Sequence, residues 1–331
     1  KREMNMYYQN RRKTYTNFDD KKKILTEICK PKVYKYKDSQ ILLSNYLNPS
    51  TPYKGLLAFH GVGVGKTIGA TAIAEGFKVN AEKYNTKIYV FVPGPMQKQS
   101  FINEIIKGTG DTYYKSIIGS PVTDSVRLFR EMQNAVQSIK QYYSIMTHRS
   151  FYRKVLGDKV KEKKYINNKI VIKNKRDSTG KIIRDKPTDV ITELDNTLAI
   201  FDEVHGMTQN GAGEAIQLIA KNSVNLKILA MSATPMINFA DEIIEILNYL
   251  RPFEDQIEKS KVFSGTELDM KFKPDGEEYF RQKIRGYVSY LRGAEPLTFA
   301  KRIDNGITPS SLQLLKIVQC FPSKFQLETY N

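Results

Sequence analysis

A glycine-rich segment over residues 55–67 is the stretch of this sequence best suited to chemistry. It reads Gly-Leu-Leu-Ala-Phe-His-Gly-Val-Gly-Val-Gly-Lys-Thr, in which three alternate glycines lead into a Lys-Thr pair: Gly61, Gly63, Gly65, Lys66 and Thr67. Glycine allows the close approach and the unusual dihedral angles with which backbone N–H groups surround a polyphosphate. We predict that Lys66 neutralises the terminal phosphates, that Thr67 binds Mg²⁺, and that the helix beginning there contributes its positive end.

The match to the strict phosphate-loop pattern is incomplete at one position, because His60 stands where that pattern has glycine. We treat the segment as a variant of the pattern, since an apolar run precedes it and a helix-compatible run follows it. The alternative is a glycine-rich turn in which the Lys-Thr pair is coincidental.

A second segment, residues 198–205, places two carboxylates directly after a short apolar run. It reads Leu-Ala-Ile-Phe-Asp-Glu-Val-His, and ligands gather at the carboxyl ends of parallel strands. We predict that Asp202 holds Mg²⁺ through water and that Glu203 orients and deprotonates the attacking water. The alternative is a simple polar strand end, which the presence of the glycine-rich segment disfavours.

Small residues end another apolar run at Ser232, Ala233 and Thr234. Their hydroxyl groups can hydrogen-bond to the acidic segment or to His205. We predict that these residues sense whether the γ-phosphate is present. Alone, the triplet is a weak signal, because the same residues occur in many turns.

Gln40 is a candidate for reading the base of a nucleotide. Its amide offers the donor and the acceptor that adenine requires, and Tyr34 and Tyr36 stand just upstream to stack on the base. The alternative is a polar surface residue.

Apolar strands alternate with amphipathic helices from residue 54 onward, which is typical of a parallel sheet covered on both faces. The predicted strands are residues 56–59, 87–92, 143–146, 198–201 and 226–231, and the predicted helices are 67–79, 97–106, 126–141 and 240–250. The sequence therefore predicts an α/β fold.

The alternation breaks over residues 153–186, where thirteen Lys and Arg residues stand against four Asp and Glu residues. We predict a basic β-hairpin inserted in the lobe, with strands at 169–173 and 181–184. Such a segment suits contacts with a nucleic-acid backbone, which we assign to Lys169 and Lys173. A disordered, solvated loop is the alternative.

The net charge of this 331-residue chain is +17, with 52 Lys and Arg residues against 35 Asp and Glu residues. This excess predicts affinity for a polyanion, and nucleic acid is the first choice. The only cysteines, Cys29 and Cys320, lack metal-binding spacing, which favours a reducing intracellular compartment. We expect no association with a membrane, because no apolar run reaches the roughly 18 residues that a spanning helix needs.

Taken together, these segments resemble the first motor lobe of superfamily 2 helicases and translocases. Residues 60–67 resemble motif I, residues 202–205 the DExH form of motif II, and residues 232–234 motif III. Two further strand ends resemble motifs Ia and Ib, which in that family contact the backbone of the tracked strand: Pro93, Gly94, Gln97 and Thr147. The resemblance implies a RecA-like ATP-binding lobe that uses ATP and Mg²⁺.

Residues 48–57, 236–242 and 287–293 resemble more closely the Swi2/Snf2-like ATPases of large nucleocytoplasmic DNA viruses, such as the poxvirus early transcription factor small subunit. That resemblance implies nucleic-acid-stimulated ATP hydrolysis in viral transcription, on DNA rather than RNA. It implies a viral RNA polymerase or other transcription subunits as partners. The implied location is the viral factory in the host cytoplasm, and also the virion.

We divide the chain into a basic N-terminal arm (1–38), the RecA-like ATP-binding lobe (39–252) with its basic insertion (about 153–187), and a helical C-terminal extension (253–331). Residues 320–330 resemble the entry to a second motor lobe, whose later motifs have no counterpart here. Since the resemblance implies two lobes closing on ATP, we expect weak hydrolysis or none from this chain alone.

Two other classes of function stay open. A DExH RNA helicase or a restriction-type motor would carry the same segments. A non-catalytic nucleic-acid-binding scaffold would keep a degenerate nucleotide fold, but the complete set of Lys66, Thr67, Asp202 and Glu203 disfavours it.

Overall fold

The computed structural model describes residues 36–113, 125–166, 169–266 and 269–291. All of these residues fall within one compact unit, Lys30–Gly293. The predicted N-terminal arm up to residue 35, Tyr34 included, and the segment from residue 292 onward lie outside the described ranges. Among the described residues, no helix has both the length and the apolar character needed to cross a membrane.

Six strands form one parallel sheet, in the spatial order 288–291, 55–60, 227–232, 198–202, 88–92 and 143–147. In chain order these strands are β1 (Gly55–His60), β2 (Ile88–Val92), β3 (Tyr143–Thr147), β8 (Leu198–Asp202), β9 (Lys227–Ser232) and β12 (Val288–Leu291). The central strands are continuous apolar runs because both of their faces are buried.

Helices cover both faces of this sheet. They are α1 (Asp38–Tyr46), α2 (Lys66–Glu75), α3 (Lys78–Lys83), α4 (Pro95–Thr109), α5 (Ser125–Tyr142), α6 (His148–Leu156), α7 (Gly211–Asn222), α8 (Glu242–Leu250), α9 (Lys259–Val262) and α10 (Gly276–Ile284). Alternate residues of β1 enter the two cores, since Leu57 packs on one side and Leu56 and Ala58 on the other. The sheet is thereby held between two apolar layers.

The predicted α/β fold is confirmed, and each of the five predicted strands is present within one or two residues. Helices α6 and α7 were not predicted. The main sheet continues past the predicted lobe boundary at residue 252, because β12 pairs with β1 and extends the sheet to Leu291. The predicted helical extension therefore contains, over 253–291, short helices, a two-stranded ribbon and a strand of the main sheet.

The basic insertion forms antiparallel ribbons, but its strands pair differently from our prediction. Residues 169–173 belong to β6 (Lys169–Asn174), which pairs with β5 (Lys161–Ile166) and not with residues 181–184. Beyond that ribbon, a bridge joins Arg176 to Ile182, and β4 (Asp158–Lys159) pairs with β7 (Arg184–Asp185). The Lys-rich strand β5 pairs with β6 because only two residues separate the two strands in the sequence.

Candidate nucleotide-binding site

The glycine-rich segment lies between β1 and α2, at the carboxyl edge of the sheet. Gly65 caps α2 in the left-handed region, with φ 88° and ψ 40°, and Gly63 has φ 77°. A Cβ atom at Gly65 would lie 2.7 Å from Nε2 of Gln40. The backbone conformation at this position favours glycine, and any larger residue would also displace the Gln40 amide.

Lys66 folds back over the loop that it follows. Its Nζ donates to the carbonyl oxygen of His60 at 3.1 Å and to that of Gly61 at 3.4 Å. Its ammonium group therefore lies above the loop, next to the N-terminal turn of α2, whose first N–H groups have no partner within the helix. An anion-binding site is thus formed by the ammonium of Lys66, the glycine-rich loop and the N-terminal end of α2.

The acidic segment ends β8, as predicted. Asp202 is the last residue of the strand, and its Oδ1 accepts a hydrogen bond from the Glu203 N–H at 3.1 Å. Glu203 has φ 49° and ψ 51°, a left-handed conformation that is uncommon for a residue with a side chain. This turn directs the chain into a short 3₁₀ helix, Val204–Met207.

Asp202 and Lys66 belong to one electrostatic site. Burial raises the pKa of Asp202 to about 6, and the neighbouring Glu203 carboxylate acts in the same direction. The ammonium of Lys66 acts in the opposite direction and lowers the same pKa. The sheet order explains their proximity, because only β9 separates β1 from β8 and all three strands are parallel.

His205 connects the acidic segment to the end of β9. Its Nδ1 lies 2.8 Å from Oγ of Ser232 and 3.4 Å from Oε2 of Glu203. The same Ser232 hydroxyl accepts a hydrogen bond from the N–H of Thr234 at 3.0 Å, across Ala233. The predicted contact between the small-residue triplet and His205 is thus present, whereas the sensing of phosphate stays a prediction.

Gln40 lies on α1 and is 3% exposed. Its Oε1 accepts from the Lys37 N–H at 2.9 Å, and its Nε2 donates to the carbonyl oxygen of Gly65 at 3.1 Å. The side chain therefore contacts the phosphate loop itself. The reading of adenine by Gln40 stays a prediction.

The residues predicted to contact nucleic acid occupy the carboxyl ends of β2 and β3. Pro93 and Gln97 are exposed, and α4 begins at Pro95, directly after Gly94. Thr147 ends β3 and caps α6, because its Oγ1 accepts from the Ser150 N–H at 3.2 Å. These ends share the sheet edge with the nucleotide site. The two predicted insertion lysines belong to β6, which is not part of the six-stranded sheet.

Two residues at this edge make contacts that the sequence does not predict: His148, in the strand end that resembles motif Ib, and Glu242, in the segment 236–242. The imidazole of His148 follows β3, and its Nε2 is buried without a hydrogen-bond partner among the described residues. Burial lowers the pKa of His148 to about 4, and His205 contributes in the same direction. Glu242 is 3% exposed, and its carboxylate accepts from the N–H groups of Ile237 and Asn238, just after the small-residue triplet. An isolated histidine or glutamate in sequence gives no signal of such contacts.

The site fits a nucleoside triphosphate with Mg²⁺. The loop provides the conformation, the space and the cation for phosphates, and Thr67 and Asp202 provide hard oxygen ligands. Within the described part of the chain, no three His, Cys, Asp or Glu side chains are grouped to hold a metal. Mg²⁺ needs no such cage, because one or two protein oxygens and the substrate phosphates hold it.

A protein-family model and several known proteins match the sequence of this chain. The family model described as "Type III restriction enzyme, res subunit" matches residues 37–237. A protein of Acanthamoeba polyphaga mimivirus named as an ATP-dependent RNA helicase is 49% identical over 97% of this chain. A second mimivirus protein with the same kind of name is 30% identical over 85% of the chain.

A more distant relative is the early transcription factor large subunit homologue of African swine fever virus, 24% identical over 88% of this chain. The chain spans 28%, 45% and 31% of the lengths of these three relatives. A solved structure of the Sulfolobus solfataricus SWI2/SNF2 ATPase core in complex with dsDNA aligns with a TM-score of 0.46 at 15% identity, over 78% of this chain and 44% of that one.

Proposed function

Because this chain belongs to the family described as "Type III restriction enzyme, res subunit", a group of helicase-type ATPase domains, we propose that it is the ATP-binding lobe of a nucleic-acid-dependent motor. The motor hydrolyses ATP and acts on DNA during viral transcription. The observation that carries this proposal is the meeting of Lys66, Asp202 and Glu203 at one sheet edge.

Each side chain of the site has a separate role in phosphoryl transfer. Lys66 neutralises charge on the β- and γ-phosphates, and the N–H groups of the loop and of α2 hold the remaining phosphate oxygens. Glu203 accepts a proton from the attacking water. Thr67 and Asp202 would hold Mg²⁺, which withdraws charge from the phosphates when it is bound. These groups act by position and charge, and no covalent intermediate on the protein is required.

The choice of DNA over RNA rests on the relative named as a transcription factor subunit homologue and is open to direct test. Two relatives are named as RNA helicases, and one is named as a transcription factor subunit homologue. The test compares single-stranded DNA, duplex DNA and RNA as activators of ATP hydrolysis by the complete protein. The proposal expects duplex or single-stranded DNA to stimulate hydrolysis most. Stimulation by RNA alone would assign the protein to the RNA helicases, and no stimulation would contradict a nucleic-acid-dependent motor.

The chain's charge supports a nucleic-acid partner, and the insertion offers a first prediction. Lys173, Lys175 and Lys181 are exposed lysines of the insertion. Replacing all three with glutamine should weaken DNA binding and reduce the slope of log affinity against log salt by about 2 to 3, because each phosphate contact contributes about 0.9. Binding titrations with a fluorescent duplex at several salt concentrations measure this slope.

The matched control removes three exposed lysines elsewhere, Lys83, Lys261 and Lys271. This control keeps the same net charge as the insertion variant and should change the slope by less than half as much. If both triple variants behave alike, DNA does not contact the insertion.

The His205–Ser232 contact gives a second prediction, for communication between the nucleic acid and the nucleotide. Replacing His205 with alanine breaks the 2.8 Å contact between the 3₁₀ helix that follows β8 and Ser232 at the end of β9. Stimulation of hydrolysis by DNA should fall about tenfold, the size of a typical coupling between sites, while ATP affinity without DNA stays near the wild-type value. Steady-state hydrolysis with and without DNA, together with equilibrium ATP binding, measures both quantities. An unchanged stimulation ratio would contradict this role.

We also propose partners and a location from the same relatives. A transcription factor subunit homologue among them supports association with a viral RNA polymerase or other transcription subunits. We propose the viral factory in the host cytoplasm, and also the virion, as the location, and the viral origin of these relatives supports a viral setting. Co-purification of polymerase subunits with the tagged complete protein from infected cells tests the association.

A further inference from the structure

His60 is the last residue of β1 and is 4% exposed. Its Nε2 lies 2.9 Å from Oγ of Ser289, which is 229 residues away in sequence and belongs to β12. β12 runs parallel to β1, with His60 opposite Leu291. The side chain therefore reaches across the ladder to the strand at the edge of the sheet.

The backbone attaches the phosphate loop to the same strand. The N–H of Gly61 donates to the carbonyl oxygen of Leu291 at 2.9 Å, and the N–H of Leu57 donates to that of Tyr287 at 2.7 Å. The first residue of the glycine loop is thus bonded to the last residue of β12. Any shift of β12 along its axis moves the start of the loop.

His60 also contacts the catalytic lysine. Its carbonyl oxygen accepts the hydrogen bond from Nζ of Lys66 at 3.1 Å. One residue thus contacts the phosphate-binding cation through its backbone and β12 through its side chain. Burial, with a smaller contribution from Lys66, lowers the pKa of the imidazole to about 4. The imidazole is therefore neutral at physiological pH, so it adds no charge beside the ammonium and hydrogen-bonds the hydroxyl as a neutral partner.

We propose that His60 is a positioning residue that, through Ser289, couples nucleotide binding at Lys66 to the packing of β12 against β1. This inference rests on the proposed ATP site and deepens it. When a phosphate binds the ammonium of Lys66, the carbonyl oxygens of His60 and Gly61 lose their hydrogen-bond donor. The loop is then held in place by the hydrogen bonds that His60 and Gly61 make to β12. The packing of β12 against β1 therefore responds to whether a phosphate occupies Lys66.

The first test is a double-mutant cycle on ATP affinity. His60→Leu removes the hydrogen-bonding ring at similar size, and Ser289→Ala removes the hydroxyl. Each change should weaken ATP binding about fivefold, the effect of losing one net hydrogen bond, and the double variant should be no weaker than the worse single variant. Ser289→Thr keeps the hydroxyl and should restore affinity to within about twofold of wild type. Isothermal titration of ATP·Mg²⁺ measures these affinities.

A second measurement separates coupling from simple stabilisation. Hydrogen exchange at residues 287–291 should slow when ATP binds to the wild-type protein, and Ser289→Ala should lose this response. Ser264→Ala, in the separate ribbon of β10 (Phe263–Ser264) and β11 (Lys271–Phe272), is the matched control and should keep it.

The inference fails if Ser289→Ala binds ATP as the wild type does, or if it only lowers the melting temperature without nucleotide. It also fails if ATP leaves exchange at residues 287–291 unchanged in the wild type. Lys66→Ala separates this failure from that of the ATP site itself. Loss of ATP binding in Lys66→Ala with normal binding in Ser289→Ala overturns only the coupling, whereas normal binding in Lys66→Ala overturns the site and the coupling together.

Discussion

Replacing Lys66 with alanine is expected to lower ATP affinity and hydrolysis by at least about a hundredfold while the fold stays intact. The ammonium lies over the glycine loop, where the carbonyl oxygens of His60 and Gly61 hold it. In a site that excludes water, removing a group aimed at developing charge costs about 10²- to 10³-fold. Titration calorimetry with ATP·Mg²⁺ measures binding, and phosphate release by the complete protein measures hydrolysis.

The fold should survive this substitution, because Lys66 begins a helix and its side chain fills no part of either core. Circular dichroism and the melting temperature without nucleotide should match those of the wild type. Lys83→Ala, at the exposed end of α3, is the matched control and should bind ATP normally. Undiminished ATP binding by Lys66→Ala would show that the nucleotide does not use this loop.

Replacing Glu203 with glutamine is expected to separate binding from hydrolysis. The carboxylate that accepts the proton of the attacking water is lost, and general-base catalysis contributes about 10²- to 10⁴-fold. ATP affinity should stay within about threefold of wild type, because glutamine is isosteric and removes a negative charge near the phosphates. Single-turnover hydrolysis by the complete protein and equilibrium binding measure the two effects.

Asp202→Asn should behave differently, since the same carboxylate would hold Mg²⁺ and its loss should weaken Mg²⁺-dependent binding as well as hydrolysis. Glu193→Gln, an exposed glutamate upstream of β8, controls for the loss of charge. Hydrolysis at the wild-type rate in Glu203→Gln would remove Glu203 from the mechanism.

The strands of the sheet were predictable where they are buried on both faces. β2 and β8 are short apolar runs that end at polar or turn-forming residues, and such runs are typical of buried strands. β12 was not predictable in this way. Its four residues include a serine and the exposed Tyr290, so the run lacks the apolar continuity of a central strand. Its place beside β1 comes from tertiary pairing.

The pairing within the basic insertion shows the same limit. Residues 169–173 have the alternation of a strand, and the sequence predicts that strand correctly. Its partner, residues 161–166, is rich in lysine, and its composition does not favour a strand. Proximity along the chain decided the pairing.

The two sequence segments that form the nucleotide site could be predicted, but the hydrogen bonds that connect them to other strands could not. Lys66 and Asp202 can be predicted as site residues because each lies within a recognisable motif of neighbouring residues. The contacts of His60 with Ser289 and of His205 with Ser232 join residues that are 229 and 27 positions apart. The order of the strands in the sheet determines which of these residues come into contact. That order cannot be predicted from any local sequence pattern.

The most direct test of the account is a crystal structure of the chain with Mg²⁺ and a non-hydrolysable ATP analogue. We expect the γ-phosphate to lie within hydrogen-bond distance of Nζ of Lys66, and the metal to be held by Thr67 and, directly or through water, by Asp202. We also expect Glu203 to face the γ-phosphorus through a water molecule. A nucleotide bound away from the carboxyl ends of β1 and β8, or a metal that neither Thr67 nor Asp202 contacts, would contradict the shared site.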